Sequence, residues 1–163
     1  MRADGGAQIR LTAPSGHSDD APAWSPDGTR IAFQRCCFPI PGSVPDGMQV
    51  FTMNADGSVQ ANISGTVGTT SDFQPDWSPD GTQIVFGRCV CLTTADELYV
   101  MLPDGSSQAR LSPGTNAIEP GWSPDGTRIA FRGAGTPSVF TMTTAGTGIT
   151  KVPDGFDPSW QPT

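Results

Sequence analysis

One short peptide recurs three times with almost no change, and it constrains the fold more than any other feature of the sequence. The peptide reads Trp-Ser-Pro-Asp-Gly-Thr-x-Ile-Ala/Val-Phe and begins at Trp24, Trp77 and Trp122, while a fourth copy starts at Trp160 and stops. The spacing defines a unit of about 45 residues with loops of variable length. Such periodicity is typical of repeat architectures, in which each unit packs mainly against its neighbours.

A second block recurs inside each unit, and together the two blocks predict an all-β fold. This block reads Val/Leu-Phe/Tyr-x-Met and begins at Val50, Leu98 and Val139. Pro-Asp-Gly and Asp-Gly are tight-turn sequences, so each unit is predicted to be a four-stranded antiparallel meander. The chain has one Lys and two Glu against 18 Thr, a composition that disfavours long helices. Repeated four-stranded meanders of this length predict the blades of a β-propeller.

The repeat boundaries divide the chain, a single segment over 1–163, into about 3.6 units. We predict complete blades at 20–64, 72–112 and 117–152, an opening strand pair at 1–12 and a closing strand at 156–160. The sequence therefore predicts a partial or half propeller. An unclosed ring leaves the faces of its terminal blades exposed and prone to association.

The motif resembles the WD40-like propeller repeat of the TolB type, because Pro-x-Trp-Ser-Pro-Asp-Gly-Thr is followed by the Phe/Tyr-x-Met block and by Arg-Leu-Thr/Ser. The resemblance covers almost the whole chain. It implies a propeller, typically of six blades, in bacterial proteins outside the cytoplasm, either periplasmic, at the cell surface or secreted. Such proteins bind other proteins or ligands, or precede a hydrolase domain.

Six blades would need about 270 residues. Two interpretations of the shorter chain remain open: a homodimer completes the ring, or the chain is part of a longer protein. The first residues, which align with the middle of a repeat, favour the second interpretation slightly.

Charge and hydropathy exclude several partners. The formal net charge is −7, which repels phosphate backbones, so nucleic acid is a poor partner. No apolar run reaches the roughly 20 residues of a membrane helix, and no secretion signal is visible, so we expect a soluble chain with no membrane insertion. We expect no cofactor, and a protein or a small molecule as ligand.

The longer connections of a meander share one side of the propeller, which we call the long-loop face, and candidate binding residues collect there. Arginines follow the second strand of each unit, acidic residues precede the first strand, and phenylalanines accompany them. The candidates are Arg35, Arg88, Arg132, Asp20, Asp72, Glu119, Asp157, Phe38 and Phe73. Alternatively, the charges pair locally or are solvated, and the phenylalanines pack under their own loops.

Two repeated positions are predicted to have structural roles rather than binding roles. The tryptophans are interpreted as packing between blades rather than as a stacking platform for sugars. Asp27, Asp80 and Asp125 are interpreted as turn residues, because their spacing lacks the alternating ligands of a calcium loop.

The four cysteines occupy matching places in two adjacent units: Cys36 and Cys37 in one, Cys89 and Cys91 in the next. Four cysteines allow three connectivities, two of which join the two blades. Disulfides between blades fit an oxidising compartment, which the resemblance also suggests. Free thiols and a zinc site are the alternatives, although neither pair has the usual zinc-ligand spacing.

Catalysis has little support. His17 is the one histidine, no Gly-x-Ser-x-Gly elbow is present, and no pair of carboxylates is singled out. We therefore predict a non-enzymatic scaffold that binds through its long-loop face. The alternatives are the propeller of a larger peptidase or glycan-active enzyme whose catalytic residues lie elsewhere, and a purely structural repeat.

Overall fold

The computed structural model describes residues 8–13, 16–37, 47–65, 70–90, 96–111, 116–136 and 138–153. Within these ranges the chain forms strands and no helix. Each predicted unit is one antiparallel four-stranded sheet, so the structure confirms the all-β propeller class and the four-stranded meanders. We number the sheets as blades 1, 2 and 3.

Blade 1 contains β1 (His17–Trp24), β2 (Arg30–Cys37), β3 (Gln49–Asn54) and β4 (Ala61–Asn62). Blade 2 contains β5 (Thr70–Trp77), β6 (Ile84–Val90), β7 (Asp96–Met101) and β8 (Ala109–Arg110). Blade 3 contains β9 (Ala117–Trp122), β10 (Arg128–Gly133), β11 (Val139–Thr143) and β12 (Thr150–Lys151). The predicted closing strand at 156–160 lies outside the described residues, as do residues 1–7 of the predicted opening pair.

The Ser-Pro-Asp-Gly peptide forms the turn between the first two strands of each blade. In blade 1 the Asp27 carboxylate accepts hydrogen bonds from the Ser25 hydroxyl (2.6 Å) and the Thr29 N–H (3.0 Å). Gly28 adopts a φ of 69°, which glycine reaches without strain. The hydrogen bond from Ser25, with those from Thr29, lowers the pKa of Asp27. The repeated aspartate therefore has a turn-forming role in the structure.

The hydrophobic core lies between blades rather than within one. Each blade has a Trp face, on which its Trp, Ile, Phe and Met side chains lie, and an opposite face. The Trp face of blade 2 packs on the opposite face of blade 1, where Ala32 and Val50 are buried against Trp77 and Phe86. The same arrangement joins blades 2 and 3. Apolar burial thus fixes the order of the blades.

The segment 8–13 covers part of the Trp face of blade 1. Leu11 packs against Ile31, Phe33 and Met53. A Cβ placed on Gly57 would overlap the backbone of Leu11, as a Cβ on Gly105 would overlap the backbone of Ile63. Leu11 therefore occupies the same place beside blade 1 that Ile63 occupies beside blade 2. Ile63 belongs to the end of blade 1, the blade that precedes blade 2.

Candidate functional site

The three predicted arginines each form a two-pronged ion pair with a carboxylate on the first strand of the same blade. Arg88 donates to the two carboxylate oxygens of Asp72 over 2.6 and 2.9 Å. Arg35 donates to Asp19 over 2.6 and 2.8 Å. These pairs lie where the long loops leave the sheet, so they fix the strand ends that carry those loops.

The partner of Arg35 is Asp19 and not Asp20, the residue that the sequence predicts as the binding candidate. Asp19 lies directly across from Arg35 in the sheet, as Asp72 lies across from Arg88. Both aspartates lie five residues before the Trp of their unit, and counting back from the Trp would have identified Asp19. Asp20 is exposed and accepts a hydrogen bond from the Ser18 hydroxyl (2.9 Å). The hydrogen bond from Arg35 lowers the pKa of Asp19.

Blade 3 forms its ion pair on the other face of the sheet. Arg132 directly follows Phe131, whereas Arg88 lies two residues after Phe86, and successive side chains of a strand point to opposite faces. Glu119 supplies the carboxylate from a bulge, at a φ of 54°. Arg132 donates to it over 2.7 and 2.5 Å, which lowers the pKa of Glu119. Arg132 is therefore not equivalent to the arginines of the other two blades.

The Arg88 guanidinium also links blade 2 to blade 1. It lies 5.2 Å from the ring centroid of Phe86 and 4.5 Å from that of Tyr99. It donates to the Gln108 side-chain carbonyl (2.9 Å), and the Gln108 amide donates in turn to the Ser64 carbonyl of blade 1 (3.0 Å). Because the Asp72 side chain is 0% exposed, this pair is part of the interface between blades. Reversing its charges would disturb folding, so that change is a poor test of ligand binding.

The structure places the remaining candidates as follows. Phe73 is buried in its own blade, where its ring occupies the space that a Cβ on Gly87 would need. Cys36 and Cys89 are half-buried near the ends of β2 and β6. Phe38, Asp157 and Cys91 lie outside the described residues, and so does the side chain of Cys37. The predicted disulfides stay a prediction.

Sequence analysis missed the polar links between the first strands of neighbouring blades. The Asp76 carboxylate accepts a hydrogen bond from the Trp122 N–H (2.8 Å), and the Gln74 side-chain carbonyl accepts one from the Glu119 N–H (3.0 Å). Burial raises the pKa of Asp76. The Trp122 repeat has Gly121 where the Trp77 repeat has Asp76, so no periodic signal marks this residue.

Two clefts open between neighbouring Ser-Pro-Asp-Gly turns, on the side away from the long loops. The cleft between blades 1 and 2 has a volume of about 490 Å³ and is lined by Asp27, Arg30, Trp77 and Pro103 among others. The cleft between blades 2 and 3 has about 230 Å³. The indole rings of Trp77 and Trp122 are 6% and 8% exposed, so they pack between blades and offer no stacking platform.

The described part of the chain holds no group of three or more His, Cys, Asp or Glu side chains placed to bind a metal ion. Over the same ranges, no helix has the length and hydropathy needed to cross a membrane.

No protein-family model matches the chain, and no curated protein matches it either. Several solved structures, however, are similar to this chain. A TolB-like protein from Agrobacterium tumefaciens is 24% identical with a TM-score of 0.66, over 92% of this chain and 56% of that one. An oligogalacturonate lyase in complex with manganese is 18% identical with a TM-score of 0.63, over 83% and 36%.

A third similar structure is the β-propeller domain of the Trilobed protease from Pyrococcus furiosus, 14% identical with a TM-score of 0.64, over 88% of this chain and 45% of that one. The chain thus spans about half or less of the length of these structures. The comparisons show the fold, and this chain is a partial β-propeller with a TolB-like architecture.

Proposed function

We propose that the chain is a non-enzymatic propeller scaffold that binds a protein or a small ligand through its long-loop face. One observation carries this proposal. Ion pairs hold the strand ends on this face, most rigidly at the buried Arg88–Asp72 pair, while the loops between those ends differ in length and sequence from blade to blade. A fixed frame with variable loops is the usual design of a binding surface.

The opposite side of the propeller supports the same proposal by contrast. Its turns repeat almost without change, and their aspartates are engaged in hydrogen bonds within the turn, as Asp80 is with Ser78 (2.6 Å) and Thr82 (3.0 Å). A surface of nearly identical turns offers little to distinguish one ligand from another.

The binding experiment compares the two faces. Residues 91–95, in the connection between β6 and β7, are replaced by a Gly/Ser sequence of equal length. The control variant carries Pro79→Ser and Pro103→Ser in tight turns on the side of the propeller away from the long loops. Immobilised proteins capture partners from an extract of the source organism, and mass spectrometry identifies them. We expect the loop variant to lose a partner that the wild type and the control retain. Equal capture by all three proteins would contradict the proposal.

We further propose a bacterial protein located outside the cytoplasm. This proposal rests on the resemblance of the repeat to that of TolB and on the predicted disulfides between the cysteines of the first two blades. Fractionation of the source cells tests it, with a cytoplasmic location as the contrary result.

The second candidate is the propeller portion of a larger enzyme, favoured by the likeness to the Trilobed protease and to oligogalacturonate lyase. Peptidase and oligogalacturonate-cleavage assays on the full gene product separate the two candidates. The scaffold proposal expects no turnover, and turnover of either substrate would favour the enzyme.

A further inference from the structure

The Trp face of blade 1 is only partly covered. Trp24 is 57% exposed, whereas Trp77 and Trp122 at the same place in blades 2 and 3 are almost fully buried. A cleft of about 160 Å³ lies on this side of the blade, lined by Leu11, Asp19, Phe33 and Met53 among others. Ile31, Phe33 and Met53 are buried, so Trp24 is the large side chain of this described face that stays in water, and covering its indole would remove apolar surface from water.

The interface between blades 1 and 2 shows what covers a Trp face in this protein. The Arg30 guanidinium lies 5.6 Å from the Trp77 ring centroid and donates to the Thr52 hydroxyl (2.7 Å). Ala32 and Val50 pack beside the ring, and both are fully buried. The cover of Trp77 thus combines an arginine, a threonine and two small apolar side chains in this arrangement.

The opposite face of blade 3 carries that same set. Arg128 donates to the Thr141 hydroxyl (2.9 Å), as Arg30 does to Thr52. Ala130 and Val139 stand at the repeat positions of Ala32 and Val50. Thr141 is half-buried, whereas Thr52 is 0% exposed beneath blade 2. Ala130 and Val139 are buried, at 4% and 5% exposed, against 0% for Ala32 and Val50. The Trp face of blade 1 and the opposite face of blade 3 thus carry the same residue types that meet at the interface between blades 1 and 2.

We propose that the Trp face of blade 1 docks the opposite face of blade 3 of a second copy of this chain. Two such contacts, related by a two-fold axis, join the three described blades of each copy into a ring of six. This inference goes beyond the proposed ligand binding and does not depend on it.

Docking replaces the contact between Leu11 and Gly57 within one chain by an equivalent contact with the partner subunit. The Val152 N–H donates to the Val139 carbonyl (2.8 Å), as the Ile63 N–H donates to the Val50 carbonyl (2.9 Å). Val152 of the partner subunit therefore takes the place of Leu11 above Gly57, and the segment 8–13 moves aside. A polar link is also preserved: Glu119 of the partner subunit faces the Ala21 N–H as Gln74 faces the Glu119 N–H within the chain.

The test measures the native mass by light scattering after size-exclusion chromatography. We expect twice the 17.0 kDa of one chain. Trp24→Asp places a charge on the Trp face of blade 1, and Thr141→Arg places a bulky charged side chain on the opposite face of blade 3. Each change is expected to raise the dimer dissociation constant by at least about tenfold. Val59→Asp is the matched control, because Val59 is 74% exposed outside both faces, and it should leave the mass unchanged. Circular dichroism confirms that each variant is folded.

Mixing the two variants distinguishes this contact from a dimer formed through two Trp faces. A mixed pair has one intact contact and one contact that carries both changes. The mixture should therefore form dimers at a concentration where neither variant does so alone. Leu11→Asp should strengthen dimerisation, because it weakens the segment that docking displaces. A monomer at every concentration, a dimer that survives Thr141→Arg, or no rescue on mixing would overturn the proposal.

Discussion

The Trp faces of blades 1 and 2 are built from the same residue types but have different surroundings. On blade 2 a complete blade covers Trp77, while on blade 1 the segment 8–13 covers Phe33 and Met53 and leaves Trp24 exposed. The repeat therefore specifies a surface, and the neighbouring blade decides whether that surface becomes core. Identical positions in the two blades can be changed in parallel to measure what the neighbour contributes.

The largest difference is expected at the tryptophans themselves. Trp77→Ala should lower the free energy of unfolding by about 3–5 kcal/mol, because it opens a cavity between two blades. Trp24→Ala should cost less than about 1 kcal/mol, because the side chain is already more than half in water. Urea unfolding of both variants under monomeric conditions measures the difference, and equal losses would mean that Trp24 is covered in solution.

The ion pairs provide the second comparison. Asp72→Asn leaves Arg88 without its charged partner in a buried place and should cost about 3 kcal/mol. Asp19→Asn changes the same pair in blade 1, where the carboxylate side chain is 15% exposed rather than 0% while both arginines are 13% exposed, so we expect a smaller loss. Denaturant unfolding at neutral pH tests both variants. A larger loss for Asp19→Asn would show that the neighbouring blade does not control the strength of the pair.

The glycines that contact the preceding unit provide the third comparison. Gly105→Ala forces a methyl group against the Ile63 backbone at a φ of 86° and should cost about 2 kcal/mol. Gly57→Ala meets Leu11 instead, in a segment that belongs to no described strand, and that segment moves more easily than a blade. We expect a smaller decrease in melting temperature for Gly57→Ala, and the opposite order would contradict this assignment.

The smallest effect concerns pH and the interface between blades 2 and 3. Burial raises the pKa of Asp76, so its contribution to stability is full below the ordinary pKa of an aspartate and is lost as the pH rises through the raised value. Asp76→Asn keeps an acceptor for the Trp122 N–H without the charge. The variant should melt higher than the wild type at pH 7, and the difference should shrink toward about pH 4.

The sequence by itself determined the repeat, the strands and their turns, because Pro-Asp-Gly peptides and alternating apolar residues act over a few neighbouring residues. It expects Arg35 and Arg88 after the second strands and Asp72 before a first strand, whereas the structure places them inside β2, β6 and β5, because the strand pairing extends beyond them. It did not distinguish Asp19 from Asp20, because the choice depends on which residue lies across from Arg35 in the sheet. It also treated Arg132 as equivalent to Arg88, although a shift of one residue places Arg132 on the other face.

The tertiary structure alone decided which polar and aromatic groups become buried. Asp76 has no repeated counterpart in the sequence, yet it links two blades, because the link exists only once blade 3 packs beside blade 2. Likewise, Trp24 and Trp77 have the same local sequence but different exposure, since burial depends on a neighbour that is distant along the chain. Local patterns set the shape of each blade, and contacts between blades set the environment of each side chain.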